Sequence, residues 1–212
     1  MEKREIIILA ITKTEGAGAR TIARQLVRTY GYKHYSVRDE LVEKYTHMCG
    51  MPPAHQDDLE QFATDLRRSY GVEYIIAPLI ADILHSKKGY LFVIESILCL
   101  GELMYISKVC KASNVRLALA ALDAPTEMRR KRLAEHAKFK GKKTLERLLK
   151  IYVPPTTDYF QAVEWFEQTD NCPEKINVWK CLKYVPKAGH FKNLNGQQVQ
   201  TAACMHQYAL RI

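Results

Sequence analysis

No stretch of this 212-residue chain approaches the roughly 18 consecutive apolar residues that a membrane-crossing helix needs. Apolar runs such as Ile6 to Ile11 and Tyr90 to Ile94 have the length of strands. The six cysteines, at 49, 99, 110, 172, 181 and 204, form no Cys-x-x-Cys pair and no zinc-type spacing. They are expected to be free, buried thiols. Met1-Glu2-Lys3-Arg4 leads into the first apolar run without an h-region or an Arg/Ser-rich presequence, so a cytoplasmic location without a membrane partner is expected. Internal repeats, low-complexity tracts and linkers are also missing.

What is present is an ordinary globular composition, 47% hydrophobic and 26% charged, with a net charge of +9. The length suits one α/β domain spanning 1–212 and is short for two. The positive balance suits an anionic partner, whether nucleotide phosphates, nucleic acid or an acidic protein. The cations gather at Arg129 to Arg132, at Lys138 to Lys143 and more loosely at Lys180 to Lys192. Such runs serve either as a solvated face or as a binding surface.

The order of apolar patterns alternates strand and helix. Ile6 to Ile11 is an unbroken aliphatic run, as in a strand buried on both faces of a parallel sheet. A turn with Gly16 and Gly18 follows, and then Ile22, Ala23, Leu26, Val27 and Tyr30 recur on one helical face, stopped by Gly31. Strands are expected near 5–11, 33–37, 90–95, 115–122 and 189–193, and helices over 38–48, 57–70 and 72–85. A further helix enters at Pro125 and runs to about Lys138, with Arg129 and Arg132 a turn apart. This alternation predicts a parallel sheet with helices on both faces.

The turn between the first strand and helix is where a phosphate-binding loop, G-x-x-x-x-G-K-[ST] or G-x-x-x-x-G-K-G-T, would sit. Its glycines let backbone N–H groups wrap a phosphate at a helix N-terminus. In Lys13-Thr14-Glu15-Gly16-Ala17-Gly18-Ala19-Arg20-Thr21, Gly18 stands at the last loop glycine and Thr21 at the Mg²⁺-binding hydroxyl. Ala19 replaces the Lys and Lys13 the first Gly. The turn is either a phosphate cradle or a tight βα turn that binds nothing. Lys13 or Arg20 can bring a cation from a shifted position, although Arg is not equivalent to a Lys point charge. Position 19 is expected to open to solvent.

Further segments extend the pattern. These are Tyr35-Ser36-Val37-Arg38-Asp39-Glu40-Leu41-Val42, Leu66-Arg67-Arg68-Ser69-Tyr70-Gly71, Glu95-Ser96-Ile97-Leu98-Cys99-Leu100-Gly101-Glu102, and Leu122-Asp123-Ala124-Pro125 leading to Arg129, Arg132 and Leu133. With them the chain resembles, over nearly its whole length, the dephospho-CoA kinase-like and deoxynucleoside-monophosphate-kinase-like P-loop proteins. That resemblance implies a doubly wound three-layer P-loop NTPase fold with a five-stranded parallel sheet of order 2-3-1-4-5. It also implies helices on both faces and a small basic lid at about 125–150.

The same resemblance implies ATP in the loop with Mg²⁺ held by Thr21 and Glu95, and a phosphate-accepting substrate under the helices after the second strand. Arg129 and Arg132 would lie over the transferring phosphates, and Asp39 would act as base or orient the acceptor. Arg38 and Arg67 would bind substrate, and Asn193 would lie near the base. Lys13, Gly16, Gly18, Arg20 and Thr21 complete the nucleotide site.

The departures from the family pattern fall on charged chemistry: Ala19 for Lys, Val42 for Arg, Glu95 for Asp and Leu98 for Arg. The expected function is therefore a nucleotide kinase-like protein with impaired phosphoryl transfer, or a non-catalytic nucleotide-binding or scaffold descendant with a protein partner. The alternatives are an active kinase using substitute cations on a nucleotide or phosphorylated small molecule, and a nucleic-acid-binding module. Tyr152, Tyr159, Trp165, Trp179 and Tyr184 lie among charges, but no RNP, KH or zinc-finger pattern accompanies them, so nucleic acid is the least favoured partner.

Overall fold

The computed structural model describes residues 5–13, 16–86, 89–97, 99–122, 129, 131, 132, 134, 202, 203, 205–207, 209 and 210. In chain order the elements are β1 (Ile7–Lys13), α1 (Ala19–Tyr30), β2 (Lys33–Ser36), α2 (Val37–Cys49), α3 (Gln56–Tyr70), α4 (Ala77–His85), β3 (Leu91–Glu95), α5 (Leu100–Ala112) and β4 (Arg116–Leu122). Every strand pairing is parallel, and the order across the sheet is β2-β3-β1-β4. The described sheet thus has four strands where five were expected. The fifth, placed at 189–193, and Asn193 with it lie outside the described residues.

The continuous aliphatic run of β1 has a plain cause: alternate side chains serve two different cores. Ile8 and Ala10 point to one face, where they meet Phe92, Ile94, Leu117 and Leu119 beneath α2, α3, α4 and α5. Ile7, Leu9 and Ile11 point to the other, beneath α1 and residues near the C-terminus. Helices on both faces give the three-layer arrangement of a doubly wound fold. No described helix is long and apolar enough to cross a membrane.

Helix ends follow local chemistry. Gly31 takes a left-handed conformation (φ 71°) and its N–H reaches the carbonyls of Leu26 and Val27, ending α1. Ser36 caps α2 by accepting from the Asp39 N–H at 3.3 Å. The helix expected over 72–85 starts later, at Ala77, because 72–76 form turns ahead of Pro78 near the helix start. Two helical segments were not expected. One is α5, which buries Leu103, Ile106 and Cys110. The other lies within 202–210, where Ala202, Met205 and Ala209 are buried against the α1 side of the sheet. Among the described cysteines Cys110 is buried as expected, but Cys49 is exposed at the end of α2.

Met205 is fully buried in the same core as Leu26 and Leu9. Its truncation to Ala should cost about 2–4 kcal/mol in urea unfolding, whereas exposed Met51→Ala should change stability by under about 0.5 kcal/mol. A Met205→Ala variant as stable as Met51→Ala would contradict the packing of the C-terminal helix on α1.

Candidate functional site

The carboxyl ends of β1, β2 and β3 lie side by side, since Glu95 is in register with Ile11 on β1 and Ser36 on β2. In open parallel sheets this edge is where ligands bind. The glycine turn opens onto it. Gly16 and Gly18 both have positive φ, 80° and 98°, and at Gly16 there is a second constraint. A Cβ there would come within 3.1–3.2 Å of the Cβ, Cα and carbonyl oxygen of Arg129. Arg129 therefore lies so close to the loop that a side chain at Gly16 would have to displace it, and the positive φ there favours glycine as well.

The basic side chains lie as follows. Arg132 donates from Nη1 to the carbonyls of Gly16 (3.1 Å) and Ala17 (3.2 Å). Arg129, expected over the transferring phosphates, is buried beside Gly16. Most of the expected lid, 135–150, lies outside the described residues. Lys13 ends β1 and is half-buried. Thr21 is exposed in the first turn of α1. Ala19 was expected to face solvent, but it is 1% exposed and packed in the α1 core, so the position of the usual loop lysine is closed.

Arg20 takes the central place. Its Nε donates to Glu95 Oε1 at 3.3 Å, and its Nη2 donates to Ser36 Oγ at 3.0 Å and to the Asp39 carboxylate. One guanidinium thus joins the start of α1, the end of β3 and the N-terminus of α2. Its own pKa is raised: burial works against the charge, but the Asp39 and Glu95 interactions prevail.

Glu95 is 1% exposed. Burial pushes its pKa up, yet contacts from His34, Ser96 and Ser36, and then the Arg20 charge, outweigh burial and hold it at about 2. The Ser96 hydroxyl donates to Oε2, and His34 Nε2 lies 3.5 Å from Oε1. Ser96 keeps a positive φ of 62°, a strained conformation for serine held at the strand end.

The remaining candidates separate from this cluster. Arg67 pairs with fully buried Glu102, its Nη2 at 2.8 Å and its Nε at 3.2 Å from Oε1. That engagement ties α3 to α5. Arg38 is half-buried one residue before Asp39 and has no ionic or hydrogen-bond partner among the described residues. Sequence reasoning missed Ser36, His34, Ser96 and Glu102 as members of these networks. Ser36 carried a visible signal, as a helix-capping serine three residues before Asp39.

Mg²⁺ held by Thr21 and Glu95 was part of the expected site. The residues present do not fit that ion. One Glu95 oxygen already faces Arg20 and His34 and the other accepts from Ser96. Among the described residues no group of three or more His, Cys, Asp or Glu is arranged to hold a metal.

No protein-family model matches the chain. Over 76 residues, 36% of this chain, it is 30% identical to a putative adenylate kinase of Thermococcus kodakarensis, and the match spans 40% of that protein's length. Among solved structures it is similar to TT1252 from Thermus thermophilus, with a TM-score of 0.52 and 16% identity over 98% of both chains. It is also similar to a gluconokinase from Sinorhizobium meliloti 1021, with a TM-score of 0.48 and 14% identity over 99% of this chain and 97% of that one. Strand order and the likeness to the Thermus thermophilus structure support a doubly wound α/β fold, and the glycine turn and the partial match to the putative adenylate kinase fit a P-loop, kinase-like build. They do not single out the dephospho-CoA kinase-like group.

The low pKa of Glu95 makes stability depend on pH. A depressed carboxylate contributes fully above its ordinary value of 4.5 and loses that contribution as pH falls toward 2. The stability difference between the natural protein and Glu95→Gln should therefore shrink by about 2 kcal/mol between pH 6 and pH 3. Urea unfolding at several pH values checks this. A difference that stays constant over that range would mean Glu95 is not an ionised member of the network.

Proposed function

We propose that this chain is a nucleotide-binding protein of kinase-like build whose capacity for phosphoryl transfer is strongly reduced. The observation that carries the proposal is the pairing of a closed Ala19 with an engaged Arg20. A transferring phosphoryl group needs cations on its developing charge. In this loop the usual lysine is replaced by a buried methyl group, and three of the five N–H donors of the adjacent Arg20 are held by Glu95, Ser36 and Asp39, which fixes the guanidinium away from the lysine's place.

Binding itself keeps support. The α1 N-terminus has no acidic residue in its first turn and no side-chain cap, so its N–H groups remain available to an anion. The relative in Thermococcus kodakarensis is described as a putative adenylate kinase, which favours a nucleotide or other phosphorylated small molecule as ligand. A single domain over 1–212, with Arg38 facing the acceptor side, belongs to the same proposal.

An active kinase is the second reading, and one observation favours it. Arg132 lies against the loop carbonyls, within reach of a phosphate seated at Gly16 to Gly18.

Titration calorimetry with ATP, together with a phosphoryl-transfer assay against nucleoside monophosphates, separates the two. Loss of one phosphate-contacting group typically costs about 10²–10³ in rate, so transfer should fall well below the roughly 1–100 s⁻¹ of ordinary kinases. Ala19→Lys should not restore it. The position is closed, and forcing the longer side chain in should cost about 1–3 kcal/mol of stability. Turnover at ordinary kinase rates would overturn the impaired reading. Absence of any ATP binding would overturn the nucleotide reading.

A further inference from the structure

The kinase-like fold brings an expectation of Mg²⁺, and the end of β3 does not meet it. Glu95 and Asp39 supply the kind of carboxylates a divalent ion would use. A cation already joins them, however, and it belongs to the protein. Arg20 spends Nε on Glu95 and both hydrogens of Nη2 on Ser36 and Asp39.

The remaining edge matters as much as the occupied one. Neither N–H of Nη1 is engaged by any described residue, and the Arg20 side chain is 40% exposed. The guanidinium is therefore fixed on its inner side and open on its outer side. The two N–H donors of Nη1 diverge, so each can reach a separate anion oxygen from a planar cation whose orientation is already fixed, as a flexible lysine ammonium is not. Asp39, the nearer exposed carboxylate, is 60% exposed, so solvent screens its repulsion of an anion. Glu95 is already compensated by Ser96, His34 and Arg20.

We infer that the Arg20 guanidinium fills the place of the divalent cation, so that this chain excludes metal from Glu95 and takes a phosphorylated ligand without it. The ligand half of this inference rests on the nucleotide reading above; the exclusion of metal does not.

Two titrations test the halves separately. In the first, Mn²⁺ is titrated by calorimetry into the natural protein, Arg20→Ser and the double variant Arg20→Ser/Glu95→Gln. The natural protein should give no saturable binding. Arg20→Ser, which uncovers the two carboxylates and adds a hydroxyl, should gain a Mn²⁺ site that the double variant loses. Saturable Mn²⁺ binding by the natural protein would overturn the inference. So would an Arg20→Ser variant, folded by circular dichroism, that gains no site.

In the second, inorganic pyrophosphate is titrated into the natural protein and Arg20→Lys, in EDTA and then in Mg²⁺. Arg20→Lys keeps the charge and provides a second variant should the serine form fail to fold. The natural protein should bind equally in both media, and the lysine form should lose about tenfold or more in EDTA. Binding that appears only with Mg²⁺ would overturn metal independence. No binding by any form would overturn the nucleotide reading and the ligand half together, and the Mn²⁺ result would still decide the exclusion of metal.

Discussion

A single guanidinium ties together three elements that the sheet topology brings to one edge. Arg20 reaches from the first turn of α1 to Glu95 at the end of β3, and to Ser36 and Asp39 at the start of α2. Glu95 is a carboxylate with 1% exposure, and the contacts of His34, Ser96 and Ser36 together with the Arg20 charge keep it ionised against the cost of burial. Through Arg20 the strand end, the cap of α2 and the first turn of α1 share one electrostatic centre. The serine at 96, held at positive φ, contributes the hydrogen bond that occupies the second Glu95 oxygen.

The rest of the fold makes that convergence rigid. β1 lies in the middle of the sheet, with its alternate side chains committed to two cores, so the loop leaves from a strand that has no freedom to shift register. On one face α3 and α5 are linked by the Arg67–Glu102 pair. On the other, the C-terminal helical residues lie over α1, where His206 stacks on Tyr30 with ring centroids 4.0 Å apart. Arg129 then packs against Gly16, and Arg132 bonds the loop carbonyls directly. The site is built by elements distant in sequence, each anchored by its own packing.

That distance explains what the sequence could and could not reveal. β1, α1 and β3 were legible because their signals are local: unbroken aliphatic runs, a helical apolar face and a glycine stop at Gly31. The helix α5 was not legible although Leu103, Ile106 and Cys110 recur at helical spacing, because Gly101 stands in its first turn and Ser107, Lys108 and Lys111 dilute its apolar face. Positions 202–210 offer only small and mixed side chains, and Ala202, Met205 and Ala209 are buried only by packing on the α1 side of the sheet. The closure of position 19 was misread for a similar reason. An alanine after a glycine turn says nothing of direction until the helix is seated on the sheet. The partners of Arg20 are 16, 19 and 75 residues away, so no spacing rule connects them. The nature of the site residues was readable, but their pairing was set by topology.

The central claim is that Arg20 and Glu95 act as one unit. A double-mutant cycle on stability tests it most directly, using Arg20→Met, Glu95→Gln and the double variant at pH 7. Groups that share one buried network should show a coupling of about 1–3 kcal/mol, with the double variant less destabilised than the single losses summed. Additivity within about 0.3 kcal/mol, the behaviour of independent sites, would contradict the account.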